Sequence, residues 1–177
     1  MRPAYCPCSC FLLISSPTQL LHPRGQPMFR KLIATSSTLF TIPIRLGLAA
    51  VMIAHGAQKV LGVWNGPGFK MFTSGETPHA FMKPAWLWLG AAALSELVGG
   101  IFVGLGFLTR VGAFFIFCTM LTAVTIHWPN GFFSGNKGYE YPLALAAMAL
   151  GLLISGGGQA SIDKALTRGP APRGKKY

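Results

Sequence analysis

The stretch RLGLAAVMIAHGAQKV, Arg45 to Val60, decides how the chain is read. Its aliphatic residues make a membrane helix, yet an arginine, a histidine, a glutamine and a lysine interrupt it. An ionisable side chain at the centre of a bilayer costs about 2.5–3.5 kcal/mol on the insertion scale, so each such group needs a partner, water or a task. At about 100° per residue, Arg45, His55 and Lys59 fall within about 80° of one another, with Gln58 farther round. The spacing predicts one polar stripe turned toward the interior of a helix bundle.

Outward from this helix the composition agrees. Of 177 residues 51% are hydrophobic and only 11% charged, and the mean hydropathy is +0.48, which together exclude an ordinary soluble domain and point to a small polytopic membrane protein. A bilayer core needs about 20 apolar residues in a helix. Four segments come close, at 39–61, 85–108, 111–128 and 140–157, and predict an all-α fold, a bundle of four transmembrane helices. The long loop from Gly62 to Pro84, the tight turn at Arg110 and the helix-breaking loop PNGFFSGNKGY connect them. Gly156, Gly157 and Gly158 stop the fourth span.

Charge sets the orientation. Fifteen Lys and Arg against four Asp and Glu give a net charge of +11, a balance that raises nucleic acid as a partner. The placement of the basic residues argues against it. Arg2, Arg24, Arg30 and Lys31 precede the spans, Arg110 sits in the tight turn, and Lys164, Arg168, Arg173, Lys175 and Lys176 follow, whereas the opposite loops hold Lys70, Lys83 and Lys137. Both termini are therefore expected to be cytoplasmic, beside the anionic leaflet of a bacterial inner membrane. Trp64, Trp86, Trp88 and Trp128 fall at the expected outer interface as anchors.

Residues 1–27 are rich in Pro and Ser and lack a signal-peptide layout. We expect them to be disordered or a start placed too far upstream, with translation beginning at Met28. The membrane domain is expected over 28–166 and a basic tail over 167–177. Cys6, Cys8 and Cys10 crowd together and Cys118 lies within an apolar run, so no disulfide framework is expected. Cys118 reads as a small core hydrophobe.

The remaining polar residues are candidates for chemistry. Taking each helix from its expected end, at about 1.5 Å per residue, Glu96 lies about 15 Å below the outer boundary, between His55 at about 9 Å and Arg45 at about 24 Å. Two readings stand side by side: an ion pair, with Arg45 or His55 as the partner of Glu96, or a proton-carrying carboxylate in a pocket. Lys59 lies near enough to the boundary to snorkel to water. His127 and Glu140 flank the short loop between spans three and four and share a level with His55. An outward-open cup of His55, Glu96, His127 and Glu140 is the expected site, with Arg45 and Glu96 as the structural pair. No metal-ligand spacing, nucleophile elbow, phosphate loop or dinucleotide fingerprint is present, and no cofactor motif. Gly100 and Gly104, at small-xxx-small spacing, let a neighbouring helix approach closely. Packing inside the bundle accounts for them more economically than a homo-oligomer face.

The blocks RLGLAAVMIAHGAQKVLG and NGPGFKMF, LSELVGGIFVGLGFLTRVGAF, HWPNGFFSGNKGYEYPLAL and GGGQASIDKAL, in this order and spacing, resemble the DoxX family of small bacterial membrane proteins over residues 40–166. Ser161 and Asp163 fit the family's ending. The resemblance implies a four-helix membrane bundle. Some DoxX-like proteins are subunits of thiosulfate:quinone oxidoreductase, and others are linked to oxidative stress or to quinone and catechol resistance.

Three functions compete. The first is a component of a quinone-linked oxidoreductase or of an oxidative or thiol-stress system, in which His55, Glu96, His127 and Glu140 hydrogen-bond quinone oxygens and exchange protons, with soluble redox enzymes or a second membrane subunit as partners. The second is a small-solute permease. The third is a membrane anchor for soluble redox enzymes, without activity of its own.

Overall fold

The computed structural model describes Thr35, residues 39–74 and residues 83–167. The expectations for residues 1–27, for a start at Met28 and for the tail from Arg168 onward lie outside the described residues. Among the described residues six α-helices follow one another: α1 (Thr41–Leu61), α2 (Gly68–Thr73), α3 (Ala85–Leu105), α4 (Thr109–His127), α5 (Glu140–Ser155) and α6 (Ile162–Thr167). Short 3-10 turns at Trp128–Asn130 and Ser134–Asn136 lie between α4 and α5. Among the described residues there is no strand.

Helices α1 and α3 stop where the sequence provides a glycine in left-handed conformation. Gly62 ends α1 at φ 71° and Gly106 ends α3 at φ 68°. At the second of these, Gly106 N–H donates to Val103 O and Phe107 N–H to Phe102 O, which satisfies carbonyls at the helix end. Among the described residues three helices, α1, α3 and α4, are long and apolar enough to cross a bilayer; α5 is apolar but shorter, at 16 residues.

Glycines fix how α1 and α3 meet. A Cβ on Gly56 would lie 2.5 Å from Leu97 N, one on Gly100 would lie 3.0 Å from Ile53 N, and one on Gly104 would lie 3.2 Å from the Ala49 side chain. These three contacts step down one helix as they step up the other, so α1 and α3 run antiparallel with their backbones nearly touching. The small-xxx-small glycines of α3 thus serve packing within the bundle. Gly99 and Gly112 do the same for α3 and α4, where a Cβ on Gly112 would lie 2.9 Å from Gly99 O. Helix α5 packs on α4 and, less extensively, on α1, closing the four into a ring.

This register leaves the helix ends uneven. Leu97 is twelve residues into α3 and Gly56 only five from the end of α1, so α3 extends about 10 Å beyond α1 at the tryptophan-rich end. Helix α2 occupies the step, with the Phe69 ring against Gly90 of α3. At the other end of the bundle the core is dense: Leu48, Met52, Val103, Ile116 and Leu152 are all buried. Dispersion contacts of this kind hold membrane helices together, because lipid tails are as apolar as the side chains they would replace.

Candidate functional site

Between α3 and α4, toward the tryptophan-rich end, lies a groove of about 560 Å³. Helix α3 contributes Trp88, Leu89, Ala91, Ala92, Ser95 and Glu96; α4 contributes Phe115, Cys118, Thr119, Thr122, Ala123, Ile126 and His127; Lys59 of α1 and Phe72 of α2 complete it. Small residues on the facing helix sides open the space, and the aromatic rings form its walls.

The floor is an ion pair. Lys59 Nζ donates to both carboxylate oxygens of Glu96, at 2.5 and 2.6 Å. The Glu96 side chain is 3% exposed and that of Lys59 27%, so the carboxylate is taken out of solvent while the ammonium still edges the groove. The ammonium also lies 5.4 Å from the centroid of the Phe72 ring, within cation–π range. Beside the pair, the Ser95 and Thr119 hydroxyls are 2.5 Å apart and link α3 to α4.

The expected pairing of Glu96 with Arg45 is therefore corrected, and with it the expectation that Lys59 snorkels to water. The cause is the register. With Gly56 level with Leu97, Glu96 is about 3 Å from Lys59 along the axis and about 18 Å from Arg45. Helix ends taken as level misplace α3 by about the length by which it overhangs α1.

Arg45 has a different task. It is 5% exposed at the opposite end of the bundle, and it donates from Nη1 to Gly157 O at 2.5 Å and from Nη2 to Ala160 O at 2.6 Å. Thr41 Oγ1 donates to the same Gly157 carbonyl, at 3.5 Å. Asp163 completes this closure: its carboxylate accepts from Leu108 N, Thr109 N and Thr109 Oγ1 at 2.8–2.9 Å, satisfying otherwise orphaned donors at the start of α4.

The four residues expected to share a cup are not brought together. Glu96 and His127 line the groove; His55 and Glu140 do not. His127 stands at the groove's tryptophan-rich end, where Nδ1 is 2.9 Å from Lys137 O. A carbonyl only accepts, so Nδ1 is the donor of this bond. His55, one turn from Lys59 on α1, is exposed and outside the groove lining, with Nε2 3.4 Å from Tyr141 Oη and its ring 6.0 Å from the tyrosine ring. Glu140 caps the preceding loop, its Oε2 accepting from Ser134 N at 3.0 Å and Ser134 Oγ at 3.2 Å.

Sequence reasoning set Lys59 on the polar stripe without giving it to Glu96, marked Asp163 only as fitting the family's ending, and passed over Ser95 and Thr119. It also placed Cys118 in the core, whereas the thiol is exposed on the groove wall. Among the described residues no group of three His, Cys, Asp or Glu side chains is arranged to hold a metal ion.

A family model named DoxX matches residues 40–128, half of the chain. The chain belongs to the DoxX family. Among curated proteins and solved structures no significant match is found. The matched segment spans α1 to α4, so every residue of the groove lies within the DoxX region. Tyr141, Gly157 and Asp163 lie beyond it.

Proposed function

We propose that this DoxX protein is a membrane component of a quinone-linked oxidoreductase, and that the groove between α3 and α4 takes the quinone ring. The observation that carries the reading is the Lys59–Glu96 pair, a bidentate ion pair sequestered at the floor of an otherwise largely apolar groove. A quinone presents the complementary surface: a flat apolar ring with carbonyl oxygens at its ends. The Lys59 ammonium has three N–H donors and Glu96 accepts two of them, which leaves donor capacity for a ring carbonyl. When the carbonyl becomes a hydroxyl, the Lys59 ammonium can give the proton, and the Glu96 carboxylate hydrogen-bonded to it can take one up and return it to the amine. Phe115 walls the ring beside the pair, while Trp88 and His127 line the far end of the groove. Reduction of one quinone consumes two electrons and two protons. The electrons come from an associated redox enzyme, soluble or membrane-bound.

In this reading α5 crosses the bilayer with α1, α3 and α4, and both chain ends face the cytoplasm across an inner membrane. The excess of Lys and Arg on that side supports it. The permease alternative draws less support, since the groove gives way beyond Glu96 to the buried core of Leu48, Met52, Val103 and Ile116. A passive anchor leaves the buried pair as a structural tie only.

Titration of the purified protein with a quinone, followed by quenching of Trp88 emission in a variant whose other three tryptophans are phenylalanine, tests the proposal. Saturable binding that weakens at least tenfold in both Glu96→Gln and Lys59→Met is the expected result. Affinity unchanged in both variants would overturn it.

A further inference from the structure

The groove is open in an informative direction. Cys118 is the midpoint of α4, nine residues from each end, and it is exposed, as are Phe115 and, on α3, Ala91. An exposed side chain at the midpoint of a bilayer-crossing helix faces hydrocarbon and not water. The groove is therefore open along its flank to the lipid phase. Its tryptophan-rich end, by contrast, is crowded: Phe72 and Trp88 line it, and α2 lies against α3 with the Phe69 ring 3.4 Å from the position a Gly90 Cβ would take.

The space also exceeds a ring. A cavity of about 150 Å³ suffices for benzene, and the groove offers about 560 Å³. The polar groups at its floor and the apolar, lipid-facing rim near Phe115 and Cys118 suit a ligand that is polar at one end and carries an apolar chain at the other.

We infer that the groove is loaded sideways from the bilayer and takes a membrane-dissolved, tailed quinone, with the ring at Lys59 and Glu96 and the tail leaving between α3 and α4 past Phe115 and Cys118. The inference rests on the quinone reading above and distinguishes tailed quinones from small water-soluble ones. A tail in the groove gains little from hydrophobic burial, because the lipid it leaves is equally apolar. The tail instead confines the ligand to the phase from which the groove opens, so discrimination lies in the shape of the rim.

The test uses the full chain in lipid nanodiscs and two quinones with the same ring, one with an isoprenoid tail and one without. Cys118→Trp places a large side chain on the rim. It is expected to weaken binding of the tailed quinone at least tenfold more than that of the tail-less one. Equal weakening of the two, or none, overturns lateral loading while leaving the quinone reading in place. A native protein that binds neither ring overturns both. A second measurement needs no substitution: a tailed quinone bearing a photoreactive diazirine on its first isoprene unit is expected to label α4 around Phe115 to Thr119. Labelling confined to α2 or to the loop at 128–139 would mean entry from the aqueous end and would refute the inference.

Discussion

Lys59 and Glu96 invite a test that separates a structural tie from a functional site. Replacing Lys59 by Met leaves a carboxylate that is 3% exposed without its cation. Breaking a buried pair from one side costs about 3–5 kcal/mol. Because the Lys59 side chain keeps 27% of its exposure, the lower end applies, and about 3 kcal/mol corresponds to roughly a 140-fold change in the unfolding equilibrium. Replacing both partners, Lys59→Met with Glu96→Leu, removes the orphaned charge along with the bond. Such apolar replacements of buried pairs are often neutral or stabilising by about 1–4 kcal/mol. Reversible unfolding in mixed micelles should therefore rank the double variant at or above the native protein and Lys59→Met well below it. Quinone binding should not follow that order: the double variant, though stable, should bind at least tenfold more weakly. A Lys59→Met protein as stable as the native one would refute the burial argument, and a double variant that binds normally would refute the site.

Three further substitutions probe the frame around the groove. Asp163→Ala orphans two backbone donors and the Thr109 hydroxyl at the start of α4; at about 1–3 kcal/mol for each buried unsatisfied group, partly relieved by water, a loss of about 3 kcal/mol is expected in the same unfolding assay. Asp163→Asn, which keeps one acceptor oxygen, should lose about half as much. Gly56→Leu drives a side chain into the Leu97 backbone, so it should cost at least the about 1–3 kcal/mol usual for overpacking and also weaken ligand binding by moving Lys59 off Glu96; a variant with native melting and native affinity would contradict the close contact. His55→Ala and Tyr141→Phe remove only a 3.4 Å contact between two exposed rings outside the groove, and each should change stability by less than about 0.5 kcal/mol and leave affinity unaltered. A tenfold loss of affinity in either would bring that face of α1 back into the site.

The contrast between Arg45 and Lys59 shows where sequence stops being sufficient. Hydropathy and helix-breaking residues locate the four long helices to within three residues at each end, because both signals are local: apolar run length, and glycine where the chain must turn left-handed, as at Gly62 and Gly106. Angular position along α1 is local too, and it rightly marks Arg45 and Lys59 as residues in need of partners. Which partner each finds depends on the vertical offset between two helices, and helix length does not contain that quantity. Levelling α1 and α3 at their ends spends an overhang of about 10 Å that the structure assigns to α2. Cys118 was misplaced for a related reason. In a bilayer an apolar run has no wet side to mark its outward face, so a thiol on a lipid-facing groove and a thiol in the core read alike.

The offset was nevertheless written in the chain, in its glycines. Gly100 and Gly104 on α3 mark where another backbone can come close, and Gly56 is a matching small position on α1. Laying Gly56 against Leu97 brings Gly100 onto Ile53 and Gly104 onto Ala49 together, as observed. The same register carried toward the tryptophan-rich end puts Lys59 opposite Leu94, within reach of Glu96; carried the other way it puts Arg45 opposite Leu108, beside the turn that Asp163 caps. A charge in a membrane helix is thus best paired by first docking the glycines. On that rule the ion pair, the groove it floors and the closure at the opposite end follow from one offset, and shifting that offset at Gly56 should disturb the Lys59–Glu96 pair and the Arg45 contacts together.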